Sequence, residues 1–302
     1  MKVQKLLDLS GLGVAMVTPF QKNGQVDFVG LQKLTEYLIK GGVDYLVVQG
    51  TTGETPTLSD KEKRATLDFI IEVNNGRLPI ILGLAGNDTA ALCEEIKSTD
   101  LKGVSAILTA SPGYNKPTQE GIFQHYKAID KVSPLPIILY NVPGRTASNV
   151  TAETTIRIAK ECKNVIAVKE ASGNMSQIMH LIHDAPEDFQ VLSGDDAFAF
   201  PLIACGARGV ISVVGNAFPE SFSDMVHLAL DGKFTEARPI HMRMIKTIDL
   251  LFVDGNPAGI KEALSYLNIC EKYVRLPLVS ITEQTKANLY QSIAESELLN
   301  PA

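Results

Sequence analysis

The sequence predicts an α/β protein, a (β/α)8 barrel with an appended C-terminal helical segment, and three observations carry that reading. Eight short apolar, β-branched runs recur through the first two thirds of the 302 residues, helical periodicity fills most of the gaps between them, and the pattern is purely helical from Glu220 onward. Strands alternating with helices make parallel βαβ units, and eight such units close most naturally into a barrel. A doubly wound open sheet is the alternative. Against it, neither G-x-G-x-x-G nor G-x-x-x-x-G-K-[ST] follows any of the runs, so the common phosphate-cradling turns are missing.

In chain order the strand runs are 13–20, 45–50, 79–86, 106–111, 136–143, 165–172, 190–196 and 209–216. Several are continuously apolar rather than alternating, as expected of parallel strands covered on both faces. The helical stretches 31–40, 61–74, 90–99, 120–131, 152–161 and 176–184 place apolar residues three and four apart, one buried stripe each. Ser59 and Glu62 form a capping box at the start of the second, where each side chain satisfies a backbone N–H of the other. Past Glu220 come helices at 221–230, 234–252 and 259–266, and a last one behind a Ser280/Glu283 capping box to about Glu297. No Pro/Gly/Ser-rich linker separates them from the barrel. Residues 1–219 are therefore assigned to the barrel and 220–302 to helices packed on it, as a single unit.

Composition narrows the function. With 45% hydrophobic and 21% charged residues the chain can bury a large core, which argues against disorder. A net charge of −6 without any Lys/Arg cluster leaves no electrostatic footprint for nucleic acid or anionic lipid. No stretch approaches the roughly 20 apolar residues that span a bilayer, and the first ten residues lack a signal peptide's apolar region. A cytoplasmic protein is expected. The four cysteines lie far apart without a C-x-x-C pair, which suits reduced core thiols.

Catalytic groups of such barrels sit where strands end and βα loops begin. The sixth run, Val165-Ile-Ala-Val-Lys169-Glu-Ala-Ser172, ends an apolar strand on a lysine. Pointing inward, its ammonium is desolvated toward the neutral amine that attacks a carbonyl; pointing outward, it snorkels to solvent or pairs with Glu170. The fifth run ends in Tyr140 and, five residues on, Arg145. A phenol shuttles protons and a guanidinium holds a carboxylate by two hydrogen bonds, so both suit a keto-acid site. Taken singly they better suit an interior aromatic with a satisfied hydroxyl and a surface loop charge. After the second run, Gly50-Thr51-Thr52-Gly53-Glu54 flanks two hydroxyls with glycines, a turn able to cradle a small anion. Tyr114 stands on a Pro-bounded loop after the fourth run, as an interface anchor or a site residue. A metal centre at Glu170, Asp195 and Asp196 has too few ligands; Asp195-Asp196 reads as a helix-capping turn before Ala197, and His180/His183 as a solvated helix face.

Gly50-Thr-Thr-Gly-Glu54, Tyr140-Asn-Val-Pro-Gly-Arg145-Thr146, Val168-Lys-Glu-Ala-Ser-Gly173 and Ser193-Gly-Asp-Asp196 occur in this order on successive strands. Together they make the whole chain resemble the dihydrodipicolinate synthase family of the class I pyruvate aldolases and lyases. The resemblance implies that Lys169 forms a Schiff base with pyruvate. It implies that Tyr140 relays protons through Thr52 to Tyr114 from a neighbouring subunit, and that Arg145 holds the carboxylate of L-aspartate 4-semialdehyde. Thr51, Thr52, Gly194 and Ile211 would line the pyruvate pocket. It implies no metal or other cofactor, because the imine is the electron sink, and a homotetramer built as a dimer of dimers. N-acetylneuraminate lyases and 2-keto-3-deoxy sugar-acid aldolases are the rival enzymes, and Arg145 favours a second substrate bearing a carboxylate. A catalytically dead keto-acid-binding barrel is the rival outside enzymology; against it, the implied groups are all present. In lysine-inhibited members of the family an effector pocket lies at the dimer interface. Asn87 fits its pattern, whereas Ala91, Gly113, Asp60 and Lys63 depart from it, so weak or absent lysine inhibition is expected.

Overall fold

The structure, a computed structural model, describes residues 7–296. Eight parallel strands close into a barrel: β1 (Gly11–Ala15), β2 (Tyr45–Val48), β3 (Ile80–Gly83), β4 (Ala106–Ala110), β5 (Ile137–Asn141), β6 (Val165–Glu170), β7 (Gln190–Ser193) and β8 (Gly209–Ser212). Closure is made by β8 pairing with β1, Gly11 opposite Gly209. Between the strands run α1 (Phe28–Lys40), α2 (Asp60–Asn74), α3 (Thr89–Ser98), α4 (Gln119–Val132), the single turn α5 (Pro143–Thr146), α6 (Ala152–Glu161), α7 (Met175–Asp184) and α8 (Ala199–Ala204). Then follow α9 (Pro219–Leu230), α10 (Phe234–Phe252), α11 (Ala258–Tyr266) and α12 (Glu283–Glu295).

The continuous apolar runs have the cause assumed for them. Alternate strand residues such as Val47, Leu108 and Ile138 fill the barrel, while their neighbours Leu46, Ile107 and Ile137 pack under the helices. Strand β6 breaks this alternation. Its pairing with β5 shifts register between Ile137 and Ile138, leaving Ile166 as an extra residue. Such a bulge reverses the phase of everything beyond it. Ile166 and Ala167 both belong to the inner cluster, Val168 packs outward, and Lys169 comes to face inward as the register partner of Tyr140.

Two details differ from the sequence expectation. The last helix is capped by Thr282, whose hydroxyl accepts from the Thr285 N–H, and not by Ser280; Asp254 fixes that cap by accepting from the Thr282 N–H at 2.8 Å. The expected end of this helix near Glu297 lies outside the described residues. Helix α8 was not foreseen because its six residues are nearly all apolar and show no polar face to read. Helix α9 lies against β1 and β8, and α10 crosses α8 and α9, which carries the end of α10 over the C-terminal rim of the barrel.

Candidate active site

A cleft of about 1230 Å³ opens at the C-terminal ends of the strands. Its floor is strand-end residues, and one wall comes from α10 and the turn after it, including Asp249, Phe252, Val253 and Asn256. Sequence reasoning did not place the C-terminal helices at the site, because nothing in their periodicity says which rim they cover.

Lys169 lies at the bottom, 5% exposed, with Nζ 4.4 Å from the centre of the Tyr140 ring. Burial pushes its ammonium down to about 8; the Asp196 carboxylate opposes that shift and Arg145 adds to it. Pairing with Glu170 does not occur. That carboxylate faces away from the barrel interior, accepting from Asn141 Nδ2 at 2.9 Å and from the Ser172 N–H at 2.7 Å. Of the two aspartates read as a capping turn, Asp195 fits, accepting from the Ala197 N–H. Asp196 does not. It is buried, accepts from the Val213 and Val214 N–H groups at 3.0 and 2.8 Å, and burial holds its carboxyl up at about 6. Its electrostatic hold on Lys169 has no signal in the sequence, since two adjacent aspartates before a helix look like a cap.

The Tyr140 phenol is raised by burial, with Arg145 and a hydrogen bond from Thr51 pulling it back. The hydroxyl that acts on the phenol is that of Thr51, whereas the expected relay named Thr52. Thr51 and Thr52 are consecutive in a 3-10 turn, Thr51–Gly53, and successive side chains of such a turn point about 120° apart. Thr52 is turned the other way and accepts from Asn256 Nδ2 at 3.0 Å. Beyond the turn, Glu54 is buried in a left-handed conformation, φ 54°. It pairs with Lys261, itself wholly buried, and accepts from the Arg275 N–H at 3.0 Å. The turn is therefore held from outside the barrel.

The remaining expected residues fall in different places. Arg145, on α5, borders the cleft and is exposed. Gly194 borders it too, and there only glycine fits: a Cβ would stand 2.8 Å from Ala171 Cβ and 3.1 Å from Lys169 Cγ. Ile211 is buried inside the barrel with Tyr140, and Val213 is the residue that borders the cleft near β8. Tyr114, at φ 60°, is 92% exposed and does not border this chain's own cleft; its N–H donates to the Thr146 carbonyl at 3.2 Å. Among the described residues, no group of three or more His, Cys, Asp or Glu is placed to hold a metal ion.

Residues 8–296 match the model of the Dihydrodipicolinate synthetase family. The chain belongs to this family. Among relatives carrying the name 4-hydroxy-tetrahydrodipicolinate synthase, that of Parabacteroides distasonis is 52% identical over 96% of each chain. That of Bacillus subtilis is 43% identical over 96% of this chain and all of its own. The crystal structure of dihydrodipicolinate synthase from Thermotoga maritima superposes with a TM-score of 0.94 at 38% identity, covering 97% of this chain and all of that one. The barrel is thus the fold of the dihydrodipicolinate synthetases, and the protein is an enzyme of the lyase class. No helix among the described residues is long and apolar enough to cross a membrane.

Proposed function

We propose that the protein condenses pyruvate with L-aspartate 4-semialdehyde to give 4-hydroxy-tetrahydrodipicolinate, the step that opens diaminopimelate and lysine biosynthesis. The observation that carries this is the amine of Lys169. It is buried at the base of the cleft against Tyr140 and lowered to about 8, so about a tenth is neutral at pH 7, far more than for an ordinary lysine, and able to attack a ketone.

The Lys169 nitrogen adds to C2 of pyruvate, and loss of the carbonyl oxygen as water leaves the imine. Removal of a methyl proton from this imine gives an enamine, whose carbon attacks the aldehyde of the second substrate. That substrate's own amine then closes on the former C2 and displaces Lys169, so the net change is two substrates to one product and one water. Every proton movement needs a group near the imine. Tyr140 fills that role, and we assign the onward hydroxyl to Thr51, which lowers the phenol, in place of Thr52. Thr52 and Gly194 border the oxo-acid end of the cleft, with Ile211 packed beneath it, and Arg145 takes the carboxylate of the semialdehyde. Tyr114 is exposed, as a side chain donated to a neighbouring subunit must be in a lone chain, and we take the assembly to be a homotetramer. The imine serves as electron sink, so the reaction is assigned no cofactor. Buried, unpaired Cys93, Cys162 and Cys270 suit the reducing cytosol.

Incubation with pyruvate and sodium borohydride, followed by peptide mapping, tests the assignment. A reduced pyruvyl adduct on Lys169, absent from Lys169→Ala, is expected. A folded protein without an adduct would refute the imine chemistry.

A further inference from the structure

Asn256 is 8% exposed and stands in the cleft wall between α10 and α11. Its Nδ2 donates to Thr52 Oγ1, while its Oδ1 is buried without a partner. The same short segment reaches the turn a second time, through Lys261 to Glu54. Residues 256–261 therefore grip the turn at two points, and Lys261 is itself fixed by the Tyr273 carbonyl at 2.9 Å.

A hydroxyl carries one proton and two accepting lone pairs. With one lone pair committed to the Asn256 amide, the Thr52 proton is left to donate, and among the described hydrogen bonds Thr52 Oγ1 is an acceptor only. Thr52 borders the cleft that holds Lys169. A donor fixed there matches an anionic oxygen, and the small anion that Lys169 chemistry brings is the carboxylate next to the reacting ketone. We infer that Asn256 is a positioning residue that sets the polarity of the Thr52 hydroxyl, making it a donor to the carboxylate of the captured 2-oxo acid. Selectivity for a charged oxo acid over a neutral ketone then depends on a residue of the C-terminal segment. This rests on the imine reading of Lys169.

The test compares borohydride trapping on Lys169 at subsaturating pyruvate with trapping of methyl pyruvate, which has the same ketone and no charge. Removing the hydrogen bond to the charged carboxylate is expected to slow pyruvate trapping about tenfold or more in Thr52→Val, and releasing the Thr52 hydroxyl from its fixed orientation is expected to slow it by a smaller factor in Asn256→Ala, with methyl pyruvate changed less than about twofold in both. The double variant should lose little beyond Thr52→Val, because Asn256 acts only through the Thr52 hydroxyl. Asn256→Asp, which when ionised claims the Thr52 proton, should lose more than Asn256→Ala; if it does not fold, the Ala and Val variants decide. Equal losses for both ketones, multiplicative losses in the double variant, or wild-type trapping in folded Asn256→Ala would each overturn the inference. Failure of the unaltered protein to trap either ketone would remove the imine reading itself, a distinguishable result.

Discussion

Lys169 and Tyr140 are register partners across β6 and β5, and the lysine nitrogen stands over the phenol ring at 4.4 Å. Both side chains face inward only because β6 carries the bulge at Ile166; with strict alternation from Val165, Lys169 would point at the helices. The bulge thus converts a strand-end lysine into a desolvated amine beside a proton donor.

The amine's titration should be visible in the rate. Because burial lowers Lys169 to about 8, kcat/KM for pyruvate is expected to rise with pH through a midpoint at about 8 and to level off about one unit higher, where the ammonium has lost its proton. Asp196 raises the lysine against that burial. Removing its charge in Asp196→Asn therefore lowers the amine further and moves the rising limb to lower pH. A pH profile of both proteins decides; a limb that stays in place or moves upward would mean that Asp196 does not act on the lysine.

The two threonines of the turn are expected to separate kinetically. Thr51 is the hydroxyl assigned to the Tyr140 phenol, which it lowers, so Thr51→Val and Tyr140→Phe should lower kcat by about 10² or more, the usual weight of a proton-transfer group, and should change KM little. Thr52, held by Asn256, should act mainly on pyruvate KM. Steady-state kinetics of the three variants suffice, and a kcat defect confined to Thr52→Val would return the relay to that residue.

How far the sequence reveals this site depends on the kind of contact. Strand ends are legible because parallel strands buried on both faces are apolar throughout, so Lys169 and Tyr140 stand out as polar groups ending such runs, with Arg145 just beyond the second of them. The family resemblance added Gly194 and Ile211, which residue type alone does not single out, and chose a role in a neighbouring subunit's site for Tyr114. What stayed hidden was set by backbone geometry or by distant chain. The bulge at Ile166 has no residue signature, and the choice between Thr51 and Thr52 follows from their angles in one turn. Asn256, Lys261 and Arg275 meet that turn from more than 200 residues away.

That distant clamp has a measurable weight. Lys261 and Glu54 are both buried and paired. Lys261→Met strands the Glu54 carboxylate in the interior and should cost about 3–5 kcal/mol, whereas Glu54→Gln/Lys261→Met removes both charges and should recover much of the loss. Urea unfolding midpoints of the three proteins test this. A double variant no more stable than Lys261→Met would show that the pair's contribution is packing and not charge.

Regulation by the pathway's end product should be weak or absent. Asn87 holds the loop before Tyr114 by accepting from the Gly113 N–H at 3.0 Å, but the other positions that the family resemblance puts in an effector pocket depart from its pattern. Ala91 on α3 offers no carboxylate to an ammonium, and Asp60 and Lys63 of α2 sit 3.4 Å apart as a mutual pair. Nor is an aromatic side chain readily accommodated at Gly113, where a Cβ would lie 3.0 Å from the Thr146 Cα and 3.1 Å from its carbonyl oxygen. Both are backbone atoms, so the cost cannot be relieved by rotating a side chain. Initial rates across a lysine titration are expected to stay within about twofold of the lysine-free rate, since an affinity gain of even tenfold needs about 1.4 kcal/mol of contacts that these residues do not supply. Strong inhibition at submillimolar lysine would place an effector site on groups other than Asp60, Lys63, Ala91 and Gly113.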